Sequence, residues 1–465
     1  MDYAFRVFAA IYGHRVIAPG SDAPASARHF LYAKTPSVED GRTVHIPALY
    51  RANICDAAIP ELARHRFANE ELYLAFDVDP ATRLPDWLGE LFIWLSSSYE
   101  ANITARDSIG RVPYGETVFA KRGLSMRKPH AMLLMAWLES HFQSSGHAQE
   151  LTKAPSPVPG IEHFVICSHD VDYFYTNRRA ALVRLFKNLL IAYWPYKSWS
   201  FLGANLSAIL NLLRGDRTGE YLAMLANTSD KYHFTSTVFV VAVHGDRRDP
   251  NYALQDLLRG LRVATTKQFA VAMHGSYQSI VEQANLLPEL AAIEAAIGTR
   301  PLGGRQHWLR FSNHQAFFRV VETAGLLYDS TLGFAEAPGF RNGACFAFPP
   351  YDFQNERPFP FLEIPLALMD GNVEAGARLT GESAASLTTE VLQASRKWGW
   401  GGIALDWHNP MEALQVPPEI NDLFWNNAQE QSRHCEKWIS AETFLSSCLN
   451  RYQNAGLLLD AKLHA

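Results

Sequence analysis

The sequence has few cysteines and no arrangement of them that indicates a disulfide framework or a thiolate metal site. Its 465 residues include only 5 cysteines and no C-x-x-C pair. Small disulfide-stabilised domains and zinc ribbons both need closely spaced cysteines, so both classes are excluded. An odd number at low density is typical of reduced, mostly buried thiols in a cytoplasmic protein.

Several other features are also lacking. The chain has 42 Lys+Arg against 47 Asp+Glu and no basic block, so we expect no nucleic-acid partner. It contains no P-loop, no G-x-G-x-x-G and no G-x-S-x-G elbow, which argues against nucleotide-binding and serine-hydrolase chemistry. The N-terminal sequence MDYAFRVFAAIYGHRV carries an early aspartate and no apolar run of signal-peptide length, so we expect a cytoplasmic location.

The most apolar stretch, 188–213, is too interrupted to predict a transmembrane helix. Pro195 and Lys197 break it well short of the ~20 continuous apolar residues that a membrane span needs. We interpret the region of about 185–216 as a helical insertion that lies over a barrel or cleft, without membrane association. The alternative is an interfacial segment that grips a lipid-linked substrate.

A proline-rich stretch divides the chain. Residues 152–160, TKAPSPVPG, contain three prolines and a glycine and cannot continue a helix or a central strand. We predict a linker there, between a smaller α+β domain at 1–151 and a larger domain at 161–465. Helical spacing at 86–99 and 128–142 flanks a polar loop at 107–114 in the first domain, which shows no catalytic constellation.

The larger domain alternates strand-like and helix-like segments. This alternation predicts a mostly parallel sheet, open or closed into a barrel. Strands are predicted at 163–167, 235–243, 268–273, 325–328, 361–366 and 402–405, and helices at 219–232, 254–263, 286–297, 314–324 and 387–397.

Polar side chains stand at or near the ends of these strands. The segments are SHDVD at 168–172, HGSYQS at 274–279, GGRQHWLRF at 303–311 and DWHN at 406–409. Because chemistry in parallel α/β folds collects beyond the carboxyl ends of the strands, we expect these groups to converge.

The convergent residue types are those of metal-assisted hydrolysis. In an extended segment Asp170 and Asp172 point the same way, so a cation could relieve their repulsion, with Asp172 as ligand and Asp170 as general base. His274 is a candidate ligand and His408 a candidate general acid, while Arg305 and Arg310 would orient the carboxylates. The alternatives are a turn with solvated aspartates and histidines that only satisfy local hydrogen bonds. One Asp and two His would leave positions open for water and a substrate oxygen, which suits hydrolysis of an amide or ester.

The four segments SHDVDY, MHGSYQS, GGRQHWLRF and LDWHN, in that order, resemble the motifs of the polysaccharide deacetylase family, of the carbohydrate esterase family 4 type. The resemblance implies an α/β fold with a distorted (β/α) barrel and a divalent metal, often zinc. It also implies roles for five residues: a base at Asp170, metal ligands at Asp172 and His274, an orienting group for the base at Arg305 and an acid at His408.

The chain is also similar to an uncharacterised bacterial branch of that family, which carries an extra N-terminal domain. The matching segments are 95–100, 107–111, 328–334 and 339–343, so the resemblance covers nearly the whole sequence. Arg341 lies in a glycine-flanked loop and is a candidate contact for an anionic or hydroxyl-rich substrate group, with a structural salt bridge as the alternative. The other candidate substrate contacts are Tyr277, Trp308 and Arg310.

Two departures from the family pattern leave roles open. Val171 separates the aspartates that are usually adjacent, so either Asp170 or Asp172 could be the base. Gln278 stands where the second motif usually has another histidine, and an amide is a poorer zinc ligand than imidazole. We predict His307 as the third protein ligand, with Gln278 as second choice.

These observations predict a metal-dependent deacetylase, with zinc as the expected ion. Its substrate would be an acetamido sugar in a glycan, a glycan precursor or a related small molecule. The alternatives are a hydrolase of a non-sugar amide and a non-catalytic carbohydrate-binding or assembly protein on the same barrel, because a barrel does not by itself determine function.

Overall fold

The structure of the protein is a computed structural model, which describes the following parts of the chain. They are residues 2–11, 29–33, 43–47, 63–75, 78–79, 84–144, 156–172, 178–187, 189, 199–214, 226, 229–250, 252–258, 269–280, 286–399, 401–408, 418–430 and 436–458.

Fifteen strands are seen in these ranges. They are β1 (His29–Ala33), β2 (Thr43–Pro47), β3 (Ala63–Phe67), β4 (Glu70–Leu74), β5 (His163–Val171), β6 (Ser236–Val240), β7 (Phe269–Gly275), β8 (Gly303–Gln306), β9 (Tyr328–Asp329), β10 (Tyr351–Asp352), β11 (Arg357–Pro358), β12 (Leu362–Glu363), β13 (Leu366–Met369), β14 (Gly401–Asp406) and β15 (Glu436–Ile439).

Nine of these strands form one sheet in the order β12-β9-β8-β7-β6-β5-β14-β13, with β15 beside the first half of β5. The paired strands of this sheet run parallel. Its two end strands, β12 and β13, are separated in sequence only by Ile364 and Pro365. The amide of Ile364 bonds to the oxygen of Asp329 at one end of the sheet, and the oxygen of Pro365 accepts from Ala404 at the other, each at 2.8 Å. The sheet must therefore curl until its two ends meet.

Twelve α-helices accompany the strands in the same described ranges. They are α1 (Asp2–Ile11), α2 (Trp87–Leu95), α3 (Val118–Arg122), α4 (His130–Phe142), α5 (Arg178–Lys187), α6 (Trp199–Arg214), α7 (Leu286–Ile297), α8 (His314–Ala324), α9 (Asp370–Thr380), α10 (Ala384–Trp398), α11 (Pro418–Glu430) and α12 (Ala441–Asn454). Local chemistry sets several helix boundaries. At the start of α8 the Asn313 side chain accepts from the amide of Ala316, and Gly325 ends the helix with a φ of 68°. Within the described ranges no helix has both the length and the apolar content that crossing a bilayer requires.

The curled, mostly parallel sheet with its helices confirms the predicted fold class, an α/β distorted barrel. The predicted strands fall on observed ones, but 361–366 spans both β12 and β13, and 325–328 overlaps β9 only at Tyr328. The helices at 286–297 and 314–324 are confirmed, and 387–397 lies inside α10. Most of 219–232, and 254–263 after residue 258, lie outside the described residues.

The sequence analysis missed β8 and β15. The sequence of β8, GGRQ, lacks the apolar content of a buried strand. Its glycines are needed for packing, since the ring of Tyr328 occupies the space that a side chain at position 303 would fill.

The N-terminal segment packs directly on the barrel. The hydroxyl of Tyr3 donates to the oxygen of Pro349 at 2.7 Å, and the amide of Ala131 donates to the oxygen of Gly343 at 2.8 Å. Buried side chains of both parts belong to one continuous hydrophobic cluster. The division at a linker over 152–160 stays a prediction, because 145–155 lie outside the described residues.

Candidate metal centre and active site

Three of the predicted residues meet at the carboxyl edge of the sheet. Asp172 follows β5 directly, His274 lies near the end of β7, and His307 follows β8. One potential ligand atom from each lies within 4.8 Å of the other two. Nε2 of His274 is 3.3 Å from Oδ1 of Asp172, and Nε2 of His307 is 3.1 Å from Oδ2 of the same carboxylate. Donors bound to one tetrahedral zinc ion at ~2.0–2.1 Å stand roughly 3.3 Å apart, so this spacing fits such an ion.

The hydrogen bonding of His274 shows which ring nitrogen faces the cluster. Nδ1 of His274 lies 3.0 Å from the main-chain oxygen of Arg305. A carbonyl oxygen only accepts, so Nδ1 carries a hydrogen, and Nε2, when it is unprotonated as a metal ligand must be, presents its lone pair to Asp172. Oδ1 of Asp172 is itself buried with no hydrogen-bond partner among the described residues. Two acceptors 3.3 Å apart are a poor pair without a cation between them, which is the condition that a metal satisfies.

His307 completes this donor set and has a carboxylate on each side. Its Nδ1 lies 3.8 Å from Oδ1 of Asp249, a carboxylate held in place by hydrogen bonds from the amides of Gly245, Asp246 and Tyr277. Burial lowers the pKa of His307, but the charges of Asp172 and then Asp249 outweigh it and raise that pKa to about 9. The same carboxylate charges favour a divalent cation at this point, which would displace the proton from the imidazole on binding. The three residues therefore fit a divalent metal.

The second-choice ligand, Gln278, is not part of this cluster. Its side chain is exposed, and Nε2 lies 3.4 Å from Oδ2 of Asp246. The structure thus brings His307, and not Gln278, to Asp172 and His274.

Asp170 lies within β5 and shares a buried guanidinium with Asp406. Nη1 of Arg305 is 2.7 Å from Oδ1 of each carboxylate, and Arg305 is held in place by bonds to the main-chain oxygen and hydroxyl of Ser330. Burial raises the pKa of Asp170, yet Arg305 outweighs it and leaves that pKa below its usual value. Burial and the charge of Asp170 raise the pKa of Asp406 well above the ordinary range. The negative charge of the pair therefore resides on Asp170, as a general base requires.

His408 approaches the cluster from the end of β14. Its Nε2 is 3.8 Å from Oδ2 of Asp172, and its Nδ1 is 2.6 Å from Oδ1 of Asp370, the first residue of α9. Since the carboxylate accepts a hydrogen from Nδ1, the ring is oriented with Nε2 toward the cluster.

The candidate substrate contacts Tyr277, Trp308 and Arg310 lie close in sequence to the candidate metal ligands His274 and His307. Trp308 is adjacent to His307, has a φ of 65° and is 49% exposed. The ring of Tyr277 is buried between the guanidinium groups of Arg248 and Arg310, each 4.2 Å from the ring centre. Because both faces of Tyr277 are covered, Trp308 presents the exposed aromatic ring of this group.

The structure does not bring Arg341 to this group. Arg341 is buried, and its Nε and Nη2 donate to the two carboxylate oxygens of Glu100 at 2.9 and 2.6 Å. Its Nη1 donates to the oxygen of Gly333 at 2.8 Å. These contacts match the salt-bridge alternative, and they tie the N-terminal segment to the barrel.

Three residues of the site had no role in the sequence analysis. Asp249 supports His307, Asp370 orients His408 and Asp406 shares Arg305 with Asp170. Asp370 comes directly after β13, so the strand-end argument would have found it if the strand had been predicted at 366–369. Asp406 is the last residue of β14 and stands two residues before His408.

No family model and no curated protein matches this chain. Solved structures match it at low similarity. A polysaccharide deacetylase from Mycobacterium smegmatis is 17% identical, with a TM-score of 0.37, over 67% of this chain and 98% of its own. A polysaccharide deacetylase involved in O-antigen biosynthesis from Bordetella bronchiseptica is 15% identical, with a TM-score of 0.29, over 63% and 92%. A deacetylase solved with substrate is 8% identical, with a TM-score of 0.29, over 62% and 92%. At these values the roles of residues rest on the geometry above.

Proposed function

We propose that this protein is a metal-dependent deacetylase that hydrolyses the N-acetyl group of an acetamido sugar in a glycan, a glycan precursor or a related small molecule. The observation that carries the proposal is the arrangement around Asp172. An Asp-His-His donor set lies between an ionised carboxylate, Asp170, and an oriented imidazole, His408. Zinc is the ion we expect, since the donors are one carboxylate and two imidazoles.

The metal, when bound, would supply Lewis acidity toward water and the amide carbonyl. Asp170 has Oδ2 3.6 Å from Nε2 of His274, so a water molecule at the cluster lies within reach of this base. Asp170 takes one proton from that water as the oxygen of the water attacks the acyl carbon. His408 delivers a proton to the nitrogen as the carbon–nitrogen bond breaks. The products are acetate and a free amine.

The residues around the cluster support a sugar as the amide-bearing substrate. The exposed ring of Trp308 stands next to His307 and offers an apolar face of the kind on which a sugar ring stacks. Since the ring centres of Trp308 and His307 are 5.5 Å apart, a stacked acetamido sugar would hold its acetyl group close to the cluster.

The test is acetate release from N-acetylglucosamine oligosaccharides by zinc-loaded protein. We expect Asp170→Asn to lower the rate by about 10²–10⁴-fold, the usual contribution of a positioned general base, while the zinc content stays at the wild-type level. Asp422→Asn, an exposed carboxylate on α11, is the matched control and should retain full activity.

Other results would redirect the proposal. Full activity of zinc-loaded Asp170→Asn would assign the base to another residue. Acetate release from simple acetamides, with none from sugars, would make the protein a hydrolase of non-sugar amides. Oligosaccharide binding that chelators do not affect, without any acetate release, would indicate a non-catalytic carbohydrate-binding protein.

A further inference from the structure

Helices α5 and α6 carry an exposed apolar surface, which we call the hairpin face. Its members are 46–76% exposed: Val183, Phe186, Trp199, Leu206, Leu210 and Leu213. Single exposed apolar side chains are common on the surfaces of soluble proteins. A cluster of six on two contacting helices, in contrast, marks an interaction surface.

The spacing of these residues shows that they form continuous stripes. Leu206, Leu210 and Leu213 are separated by four and three residues, so they lie along one side of α6. Val183 and Phe186, three residues apart, do the same on α5. Other residues of these helices pack against the rest of the protein, since Leu185 and Ile209 are buried and α6 contacts α11. The exposed stripes therefore do not take part in the packing of the barrel.

The charge of this region differs from that of the rest of the protein. Residues 178–214 contain six lysines and arginines and no aspartate or glutamate, although the whole chain has a net charge of -5. Arg179 at the start of α5 and Arg214 at the end of α6 are both exposed. Trp199 of the hairpin face is 76% exposed, and tryptophan is enriched at membrane–water interfaces.

We propose that the hairpin face docks on the surface of a bilayer that contains anionic lipids. Apolar stripes that include the exposed rings of Phe186 and Trp199, flanked by basic residues, combine burial at the headgroup boundary with attraction to negative headgroups. A second copy of this chain fits less well, because two hairpin faces would bring like charges together. The sequence analysis did not expect membrane association and kept an interfacial segment only as the alternative, since it had no information on which apolar residues the fold leaves exposed.

Docking of this kind would hold the candidate site near the membrane. Helix α5 begins six residues after Asp172, which directly follows β5, the strand that carries Asp170. The hairpin face is thus tethered to the carboxyl edge of the sheet. This inference concerns location only and does not depend on the proposed reaction.

The experiment is co-sedimentation of the full-length protein with vesicles. We expect binding to vesicles of phosphatidylcholine with 30% phosphatidylglycerol, much weaker binding to phosphatidylcholine alone, and loss of binding as salt rises from about 0.05 to 0.5 M. Arg179→Ala with Arg214→Ala should weaken binding roughly 25-fold, from about five-fold for each basic side chain near an anionic surface. Leu206→Glu with Leu210→Glu should weaken it by more than about ten-fold.

Two matched controls should bind as the wild type does. Leu379→Glu changes an exposed leucine on α9, and Lys121→Ala removes an exposed cation of α3. Circular dichroism spectra of all variants should coincide. The proposal is overturned if the protein fails to bind anionic vesicles, or if the controls weaken binding as much as the hairpin variants do. A dimer in solution that only the leucine variants dissociate would assign the face to a second copy instead.

Discussion

Arg111 donates a hydrogen bond from Nη1 to the main-chain oxygen of Trp308 at 2.8 Å. The contact is reciprocated, since Nε of Arg310 donates to the oxygen of Ile109 at the same distance. Trp308 and Leu309 have φ values of 65° and 51°, in a region that is unfavourable for residues with large side chains. The N-terminal loop thus holds in place the short segment that begins with His307. This is the role that the structure suggests for the N-terminal segment at the site.

Arg111→Ala should loosen that segment and weaken zinc binding by about ten-fold, the lower end of the range for residues that support metal ligands. Titration calorimetry of the metal-free protein measures the change. Arg127→Ala is the control, because Arg127 also pairs across to the barrel, with Glu382 and Glu390. Equal affinities for the two variants would show that the 107–111 loop has no influence on the centre.

His307→Ala should abolish stoichiometric zinc binding, whereas Gln278→Ala should retain it. The reason is that, of these two residues, His307 presents a nitrogen to Asp172, whereas the Gln278 side chain lies toward Asp246. Elemental analysis of purified wild type and both variants, with Asp172→Ala and His274→Ala beside them, measures the outcome. Retention of the metal by His307→Ala would remove His307 from the ligand set.

Asp370→Asn should lower kcat by about a hundred-fold, with the zinc content and KM close to those of the wild type. Asp370 touches neither Asp172 nor His274 in the described contacts, and it acts by orienting His408, whose contribution as an acid is about 10²–10⁴-fold. Steady-state kinetics with an acetylated amino sugar provide the test. Glu374→Gln, one turn along α9, is the control. A large rise in KM without loss of kcat would instead indicate that Asp370 supports substrate binding.

Glu289 should make the protein less stable as the pH rises from about 5 to 8. Burial raises the pKa of Glu289 to about 7, although the amide and hydroxyl of Ser276 donate to its carboxylate. The unfolded chain ionises near the ordinary value of 4.5, so the folded state retains the proton longer and loses stability between the two pKa values. The loss is at most about 3 kcal/mol, from about 1.4 kcal/mol for each pH unit.

Urea unfolding at pH 5 and pH 8 measures this effect. Glu289→Gln cannot ionise, so its loss of stability over this interval should be smaller than that of the wild type. Glu294→Gln changes an exposed carboxylate on the same helix and should follow the wild type. An identical pH dependence for Glu289→Gln and the wild type would contradict the assignment.

Arg341→Ala should destabilise the fold by about 3–5 kcal/mol, because it leaves the Glu100 carboxylate buried without its partner. Arg357→Ala breaks an exposed pair with Glu322 and should cost less than about 1 kcal/mol. Urea unfolding compares the two. The zinc content of folded Arg341→Ala should be normal. Loss of zinc from this variant would show that Arg341 also stabilises the metal site.

The order of strands and helices in the larger half was predictable because it depends on local patterns. Apolar runs such as those of β5, β6 and β7 alternate with helical periodicity, and parallel strands bring their carboxyl ends to one edge. The same argument identified Asp170, Asp172, His274 and His408 as neighbours before any contact was known. It failed where a strand is short or rich in glycine, as at β8, or where its boundaries were misplaced, as at β13.

By itself, the sequence determined the fold class and the residue types that gather at one edge of the sheet. Only the tertiary structure decided which of them touch, since His307 meets Asp172 across 135 residues of chain and Arg341 meets Glu100 across 241. Such pairings follow from strand register, sheet curl and the choice of rotamer, none of which leaves a local pattern. The exposure of the hairpin face was also decided by the tertiary structure. A stripe of leucines has the same spacing in the sequence whether the fold buries it or leaves it exposed to solvent.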